Sequence, residues 1–365
     1  MVEATKINFD VGVIQKLDVS MYKNVLVLTG TNFSLDIFEK KIKQNIKTKY
    51  HVYPNICSNL TDTLVYQVVN FAMGNEIDCI VSVGVESVMD CGRLVSLLLS
   101  HGGFLHSYLQ GGKVGPLGIT SNMIPHITIP TMPAAGYEIS SYASFRMNGI
   151  KQLLSSPYLV PKATYIDPLI MTNLPKDLWE IILFDGFATS LMAYVSAYAN
   201  QTSDAYALQA LDSYINHSRK ILQEPNNIEY IKHACAESLN AYLAVNYSST
   251  GAVHAMADAI VARFGMRYGT ALACVCSEVC AFLYDSNQER FDHISKMLGG
   301  EVGSAKAIKA SIDKLIKEVG IHLPSFKLSQ SEVEKLAMAS MNIAMRGSTK
   351  QMTEQDVIAI LRRLP

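Results

Sequence analysis

Apolar positions in the first half of the chain follow two rhythms. Short β-branched runs are separated by stretches with helical spacing. The first run, Asn24–Thr29 (NVLVLT), ends at Gly30, and an amphipathic stretch over residues 33–47 follows it. Residues 51–53 form a second short strand candidate, and residues 61–73 have helical spacing. The apolar run at 78–83 (DCIVSV) predicts a buried strand, which Gly84 breaks. Ser87 is placed to cap a helix beginning at Val88. Residues 126–129 predict another strand, stopped by Pro130. Strands alternating with helices imply an α/β domain, with a mostly parallel sheet and helices on both faces, over residues 1–170.

After Ile166-Asp167-Pro168 the rhythm turns helical almost throughout. Helices are predicted over residues 175–198, 204–222, 228–245, 251–263, 269–284, 288–297, 304–319, 330–345 and 354–364. An all-α domain over residues 171–365 follows, with the boundary near residues 168–175.

Composition narrows the possibilities. With 49% hydrophobic and 17% charged residues, the 365-residue chain can bury sizeable cores and has no disorder signature. A net charge of −1, from 31 basic and 32 acidic residues, gives no basic field for nucleic acid or an anionic membrane. No apolar stretch is long enough to span a bilayer. The opening MVEATKINFD puts charges where an export signal needs an apolar core. Seven scattered cysteines then read as reduced thiols, so a cytoplasmic location is expected.

Several segments carry a family resemblance in order and spacing. Gly84-Val85-Glu86-Ser87-Val88-Met89-Asp90-Cys91-Gly92-Arg93 is similar to a Gly-Gly-Gly-Ser-x-x-Asp-x-x-Lys segment. Pro130-Thr131-Met132-Pro133-Ala134-Ala135-Gly136-Tyr137-Glu138 resembles Pro-Thr-Thr-Ala-Gly-Thr-Gly-Ser-Glu. PKATYIDP, from Pro161 to Pro168, followed by Leu174-Pro175, looks like a domain junction. Asp185 opens a stretch like a first metal-binding helix. Gly251-Ala252-Val253-His254-Ala255-Met256-Ala257 resembles the segment of a third ligand, and Arg267-Tyr268-Gly269 falls where a His-Gly pair is expected. Together these resemble the iron-containing alcohol dehydrogenase family, of dehydroquinate-synthase-like fold, along nearly the whole chain.

The resemblance implies an N-terminal dinucleotide-binding domain and a C-terminal helical metal-binding domain. It implies chemistry in the cleft between them, a small-molecule substrate and a homodimer. For the cofactor, NADP or NAD, it marks Gly84, Ser87, Asp90 and Thr131. Lys151, before the junction, could reach a phosphate, although a solvated lysine is the simpler reading.

This chain departs from the pattern at both sites. Val85 and Glu86 replace two glycines of the phosphate turn, and a β-branched residue resists unusual dihedrals. Pro133 removes an N–H donor, and Tyr137 stands where a serine is usual. Gly30 stands where an acid binding the ribose 2′-hydroxyl is common, so NADP is permitted. By register, Asp185 and His254 hold two of the four metal positions, whereas Thr189 and Tyr268 hold the others. Neutral threonine and tyrosine are poor ligands, so no metal is expected. Asp258 shares a helix face with His254 and favours a charged imidazole there; the alternative is a pair that only tethers helices. Cys274, Cys276 and Cys280 match no zinc spacing and read as buried thiols.

Three functions remain open. The first is a metal-independent NAD(P)H-dependent reductase or alcohol dehydrogenase. Tyr268, Thr189 and protonated His254 would donate to the developing alkoxide, and Asp185 or Asp258 would orient the donors and return protons. The second is a repurposed or catalytically silent scaffold that binds another ligand or partner. The third is non-redox acid/base chemistry by His254 and Asp258.

Overall fold

The β-branched runs pair into one six-stranded sheet. The protein's structure, a computed structural model, describes residues 4–30, 32–133 and 136–364, with only the backbone of Asn32. Ala134 and Ala135 of the second resembling segment lie outside these residues, as do Met1–Glu3 of the opening stretch and Thr31. The chain divides into two compact units, Met1–Thr172 and Asn173–Pro365.

In unit 1 the strands are β1 (Lys6–Phe9), β2 (Asn24–Thr29), β3 (Lys49–Tyr53), β4 (Cys79–Gly84), β5 (His126–Pro130) and β8 (Ala163–Ile166). They lie in the order β1-β8-β5-β4-β2-β3, and every pairing is parallel. All six residues of β4 are buried, which accounts for its unbroken apolar run. The helices of unit 1 are α1 (Asn32–Ile37), α2 (Asp62–Met73), α3 (Glu86–His101) and the single turn α4 (Leu105–Tyr108). Thr61 caps α2, its hydroxyl accepting from the Leu64 N–H at 3.2 Å.

From β2 the chain moves to β3 on one side and then returns to β4 on the other. The connections after β2 and β4 therefore diverge. In a parallel sheet the carboxyl ends at such a switch point are where ligands bind.

Three sequence expectations change. Ser87 does not cap α3: that helix begins at Glu86 after an extended Val85, and Ser87 lies inside its first turn. The stretch at 33–47 is not one helix. It passes from α1 into a wide π turn at Phe38–Ile42 and a 3-10 turn at Lys43–Asn45, and Phe38, Ile42 and Ile46 are all buried. The helix expected over 330–345 stops at Ser340, because Asn342 hydrogen-bonds locally. Its side-chain oxygen accepts from the Ala344 N–H at 3.0 Å, and its amide donates to the Ala255 carbonyl at 3.2 Å.

Four strands went unread. β1 and β8 are four-residue strands at or beside the sheet edge. β6 (Tyr142–Met147) and β7 (Ile150–Ser155) form a separate antiparallel hairpin. Its Asn148-Gly149 turn has φ of 53° and 77°, the left-handed pair that a tight hairpin requires.

Unit 2 is helical. Its helices are α5 (Lys176–Tyr194), α6 (Gln201–Gln223), α7 (Ile228–Asn246), α8 (Ala252–Phe264), α9 (Tyr268–Leu283), α10 (Gln288–Met297), α11 (Ala305–Val319), α12 (Gln330–Ser340) and α13 (Glu354–Leu361). Helix α5 is apolar on every side because α6, α7 and α9 all pack against it. No described helix is long and apolar enough to cross a membrane.

Candidate functional site

In unit 1 the marked residues gather at the carboxyl ends of β2, β4 and β5. Thr29 ends β2 beside Val83, and Gly84 ends β4 beside Pro130. The Thr131 N–H donates to the Gly84 carbonyl at 3.1 Å, which ties the turn after β5 to the start of α3. Helix α3 lies close against the sheet at Gly92, where an added Cβ would fall 2.3 Å from both His126 Nε2 and Ser82 Oγ. That approach fixes where the first turn of α3 stands.

Three buried hydroxyls face no partner among the described residues: Thr29 Oγ1, Ser87 Oγ and Thr131 Oγ1. An unsatisfied buried polar group costs about 1–3 kcal/mol. Thr29 ends β2, Thr131 follows β5 on the other side of β4, and Ser87 lies in the first turn of α3, so the three stand around the switch point, where sheets of this kind take phosphates. Val85 is extended there (φ −95°, ψ −177°), a conformation that valine adopts without strain, so its cost is bulk and not dihedral.

Asp90 is turned inward and fully buried. Its Oδ1 accepts from Arg93 Nη1 at 3.1 Å, and its Oδ2 accepts from the Ser144 N–H and hydroxyl at 2.9 and 3.0 Å. Burial pushes Asp90 up from its ordinary range, while Arg93, Ser144 and Lys151 pull it back. Arg93 also donates to the carbonyls of Tyr137 and Ser140. This pair thus clamps the turn after β5 and the β6–β7 hairpin onto α3. Lys151 is exposed on β7, opposite Arg146.

Sequence reasoning missed Thr29, Arg93, Ser144 and Glu138. The Asp90–Arg93 spacing of three on a helix was the available signal. Glu138 is 1% exposed, and burial pushes its carboxyl up to about 7.

In unit 2, Asp185 and Thr189 sit one turn apart on α5. His254 lies in the first turn of α8, and Tyr268 is the first residue of α9. Gly251 begins α8 without a capping side chain, and Ser348 Oγ supplies the cap by accepting from the Ala252 N–H at 3.0 Å. An added Cβ at Gly269 would fall 2.4 Å from the Ile181 carbonyl, so α9 starts hard against α5. Arg267 Nη1 donates to Asp177 Oδ2 at 2.7 Å, joining the same two helices at the surface.

These constraints bring four marked residues together. Thr189 Oγ1 donates to Asp185 Oδ1 at 3.3 Å and lies 3.2 Å from His254 Nε2. The Tyr268 ring stands 6.2 Å from the His254 ring, tilted by 54°. Thr189 and His254 are 7% and 6% exposed, and Asp185 and Tyr268 are half-buried. Burial pushes the Asp185 carboxyl up to about 7, opposed by the Thr189 hydrogen bond. Asp258 follows one turn after His254 on α8 and is half-buried.

The arrangement is a carboxyl, a hydroxyl and an imidazole in hydrogen-bonded sequence beside a phenol. No group of three or more metal-ligating side chains occurs among the described residues. Cys274, Cys276 and Cys280 are buried on α9, and burial pushes the Cys274 thiol up to about 12, away from a ligating thiolate.

Comparison with known proteins accounts for both units. Residues 4–168 match the family model described as iron-containing alcohol dehydrogenase. Residues 184–364 match the model described as Fe-containing alcohol dehydrogenase family, C-terminal. The 1,3-propanediol dehydrogenase of Klebsiella pneumoniae is 26% identical over 324 residues, 86% of this chain and 82% of that protein. The NAD-dependent methanol dehydrogenase of Bacillus methanolicus is 23% identical over 356 residues, 93% of this chain and 92% of its own length. A crystal structure of 1,3-propanediol oxidoreductase has the same fold, with a TM-score of 0.88 at 22% identity, covering 100% of this chain and 99% of the other.

Proposed function

This chain belongs to the iron-containing alcohol dehydrogenase family, and we propose that it is a metal-independent NAD(P)H-dependent reductase or alcohol dehydrogenase acting on a small carbonyl or alcohol. Membership carries the coarse activity, oxidoreduction of the alcohol dehydrogenase type. The observation that carries the finer reading is Thr189, whose hydroxyl lies within hydrogen-bond reach of both Asp185 and His254.

The family name implies iron, and the donor set here does not fit it. One carboxylate and one imidazole remain; the other two positions present neutral hydroxyls, and stable sites need more strong ligands than that. A dinucleotide fits better. The unpartnered hydroxyls of Thr29, Ser87 and Thr131 would hold its phosphates at the start of α3. Gly30 presents no carboxylate to a 2′-phosphate.

The bound dinucleotide would supply the hydride. In unit 2, the Tyr268 phenol and the His254 imidazole would donate to the substrate oxygen as negative charge develops on it. Thr189 has one proton and two lone pairs, so it can pass a proton between Asp185 and His254 without moving. The carboxyl, raised to about 7, is suited to exchange that proton near neutral pH.

The test is fluorescence titration with NADPH and NADH, followed by turnover of a panel of short aldehydes in the presence of EDTA. NADPH is expected to bind at least as tightly as NADH, and turnover to be indifferent to the chelator. Failure of both dinucleotides to bind at about millimolar concentration, the upper range of ordinary Michaelis constants, overturns the reading in favour of a repurposed scaffold. Turnover lost to EDTA and restored by iron or zinc overturns its metal-independent part.

A further inference from the structure

Asp185 Oδ1, Thr189 Oγ1 and His254 Nε2 follow one another at 3.3 and 3.2 Å. Ligand atoms about 2.1 Å from a tetrahedral ion lie about 3.4 Å from each other. Thr189 Oγ1 therefore already stands at the spacing of a neighbouring ligand from each of the other two atoms. What differs is their chemistry. The hydroxyl proton of Thr189 points at the Asp185 oxygen, a direction a cation would have to occupy. An entering ion would break both hydrogen bonds and shed its own water, gaining only one charged and one imidazole ligand.

The scaffold around these atoms is stiff. An added Cβ at Gly186 would fall 2.0 Å from the Tyr214 hydroxyl, and one at Gly269 would fall 2.4 Å from the Ile181 carbonyl, so α5 cannot slide against α6 or α9. The backbone at residues 185 and 189 is thus set by helix packing and not by whatever joins the side chains, and α8, which carries residue 254, packs against α9.

We propose that Thr189 closes this centre to transition metals, its hydroxyl standing in for the ion as the bridge between Asp185 and His254, on a backbone that still has the geometry to hold one. This inference deepens the metal-independent part of the proposed function. A stronger donor at residue 189 is then sufficient to open the centre. Thr189→Cys nearly preserves the side-chain volume and supplies a thiolate between the carboxylate and the imidazole. Thr189→His with Tyr268→His supplies three nitrogens and one carboxylate.

The probe is Co²⁺ with the full chain, read by equilibrium dialysis, elemental analysis and the visible absorption of tetrahedral cobalt, with circular dichroism to confirm folding. Wild type is expected to retain no stoichiometric cobalt. Each folded variant is expected to take up about one ion per chain, at least about 100-fold more tightly than wild type, since loss of even an outer-shell partner costs about 10- to 100-fold. Adding Asp185→Asn is expected to abolish the gain in the cysteine variant and to weaken it in the double variant, where three imidazoles remain. If the double variant fails to fold, the cysteine variant decides the matter.

Two results overturn the proposal: wild type holding about one Co²⁺ per chain that His254→Ala releases, or folded variants binding no more tightly than wild type. Neither depends on turnover. A chain that binds no NADPH yet gains cobalt at residue 189 refutes the reductase reading and supports this one.

Discussion

Glu138→Gln is expected to stabilise unit 1 at pH 8 and to do almost nothing at pH 4. Glu138 sits in the short turn Tyr137–Ile139 after β5, and Thr128 Oγ1 donates to its backbone carbonyl at 2.7 Å. Its side chain is 1% exposed, and Oε2 has no partner among the described residues. Burial raises the carboxyl from 4.5 to about 7, against the pull of its own backbone N–H and of Arg93. Between those two values the folded protein keeps a proton that the unfolded chain has released. Stability therefore falls as pH rises through the window and levels off above it. One unit corresponds to about 1.4 kcal/mol, so the wild-type penalty at pH 8 approaches about 3 kcal/mol, reduced by any relaxation around the charge. Glutamine has the shape of the protonated carboxyl and no charge to bury. Urea unfolding of both proteins should differ by under about 0.5 kcal/mol at pH 4, with the variant ahead by about 1–3 kcal/mol at pH 8. The single tryptophan, Trp179, lies in unit 2, so the transition must be followed by circular dichroism. Stability curves that run parallel across the two pH values refute the reasoning.

Two further predictions concern unit 2. Tyr268→Phe and His254→Ala should each lower aldehyde turnover by about 10²–10³ in steady-state kinetics without changing the circular dichroism spectrum, as loss of a preorganised donor does; near-wild-type turnover in both would remove the pair from the chemistry. Thr189→Val leaves the buried Asp185 and His254 atoms without their hydroxyl and should cost about 1–3 kcal/mol in thermal unfolding, whereas Thr189→Ser should recover most of it; equal losses in the two variants would mean that packing and not hydrogen bonding matters there.

The fold was legible wherever one physical rule dominated. The run at 78–83 reads as β4 because both its faces are buried, and Gln288–Met297 has the observed bounds because its apolar stripe is narrow and Gly299-Gly300 follows it. Legibility failed where local hydrogen bonding overrode spacing. Asn342 ends a helix whose apolar pattern continues, and the wide turn at Phe38–Ile42 is invisible to a fixed helical period. The hairpin was within reach, because Asn148-Gly149 is a strong two-residue turn signal. At the site, register placed Asp185, Thr189, His254 and Tyr268, and the structure brings them together. Spacing alone could not show that Thr189 bridges its neighbours, or that Asp90 faces inward to Arg93 and Ser144. Both facts depend on which side-chain atoms meet across elements.

On the proposed metal-independent reading, threonine at residue 189 also alters what the rest of the site would supply. A metal polarises a substrate oxygen by charge alone and tolerates some misplacement of its surroundings. Hydrogen-bond donors act only over a narrow range of distance and angle. A site that relies on them gains more from rigidity than one built around an ion. Unit 2 shows that rigidity where it is needed. Gly269 lets α9 start against α5 and so places Tyr268, while Ser348 caps the turn of α8 that carries His254. Bulk at residue 269 should therefore impair Tyr268 by displacing the helix that carries it, even though the phenol itself is untouched. The chemistry that the bridge allows is bounded as well. On the proposed reading, one hydroxyl proton shared between a carboxyl and an imidazole can move a proton but not by itself stabilise an alkoxide, so Tyr268 and His254 would donate to the substrate oxygen directly.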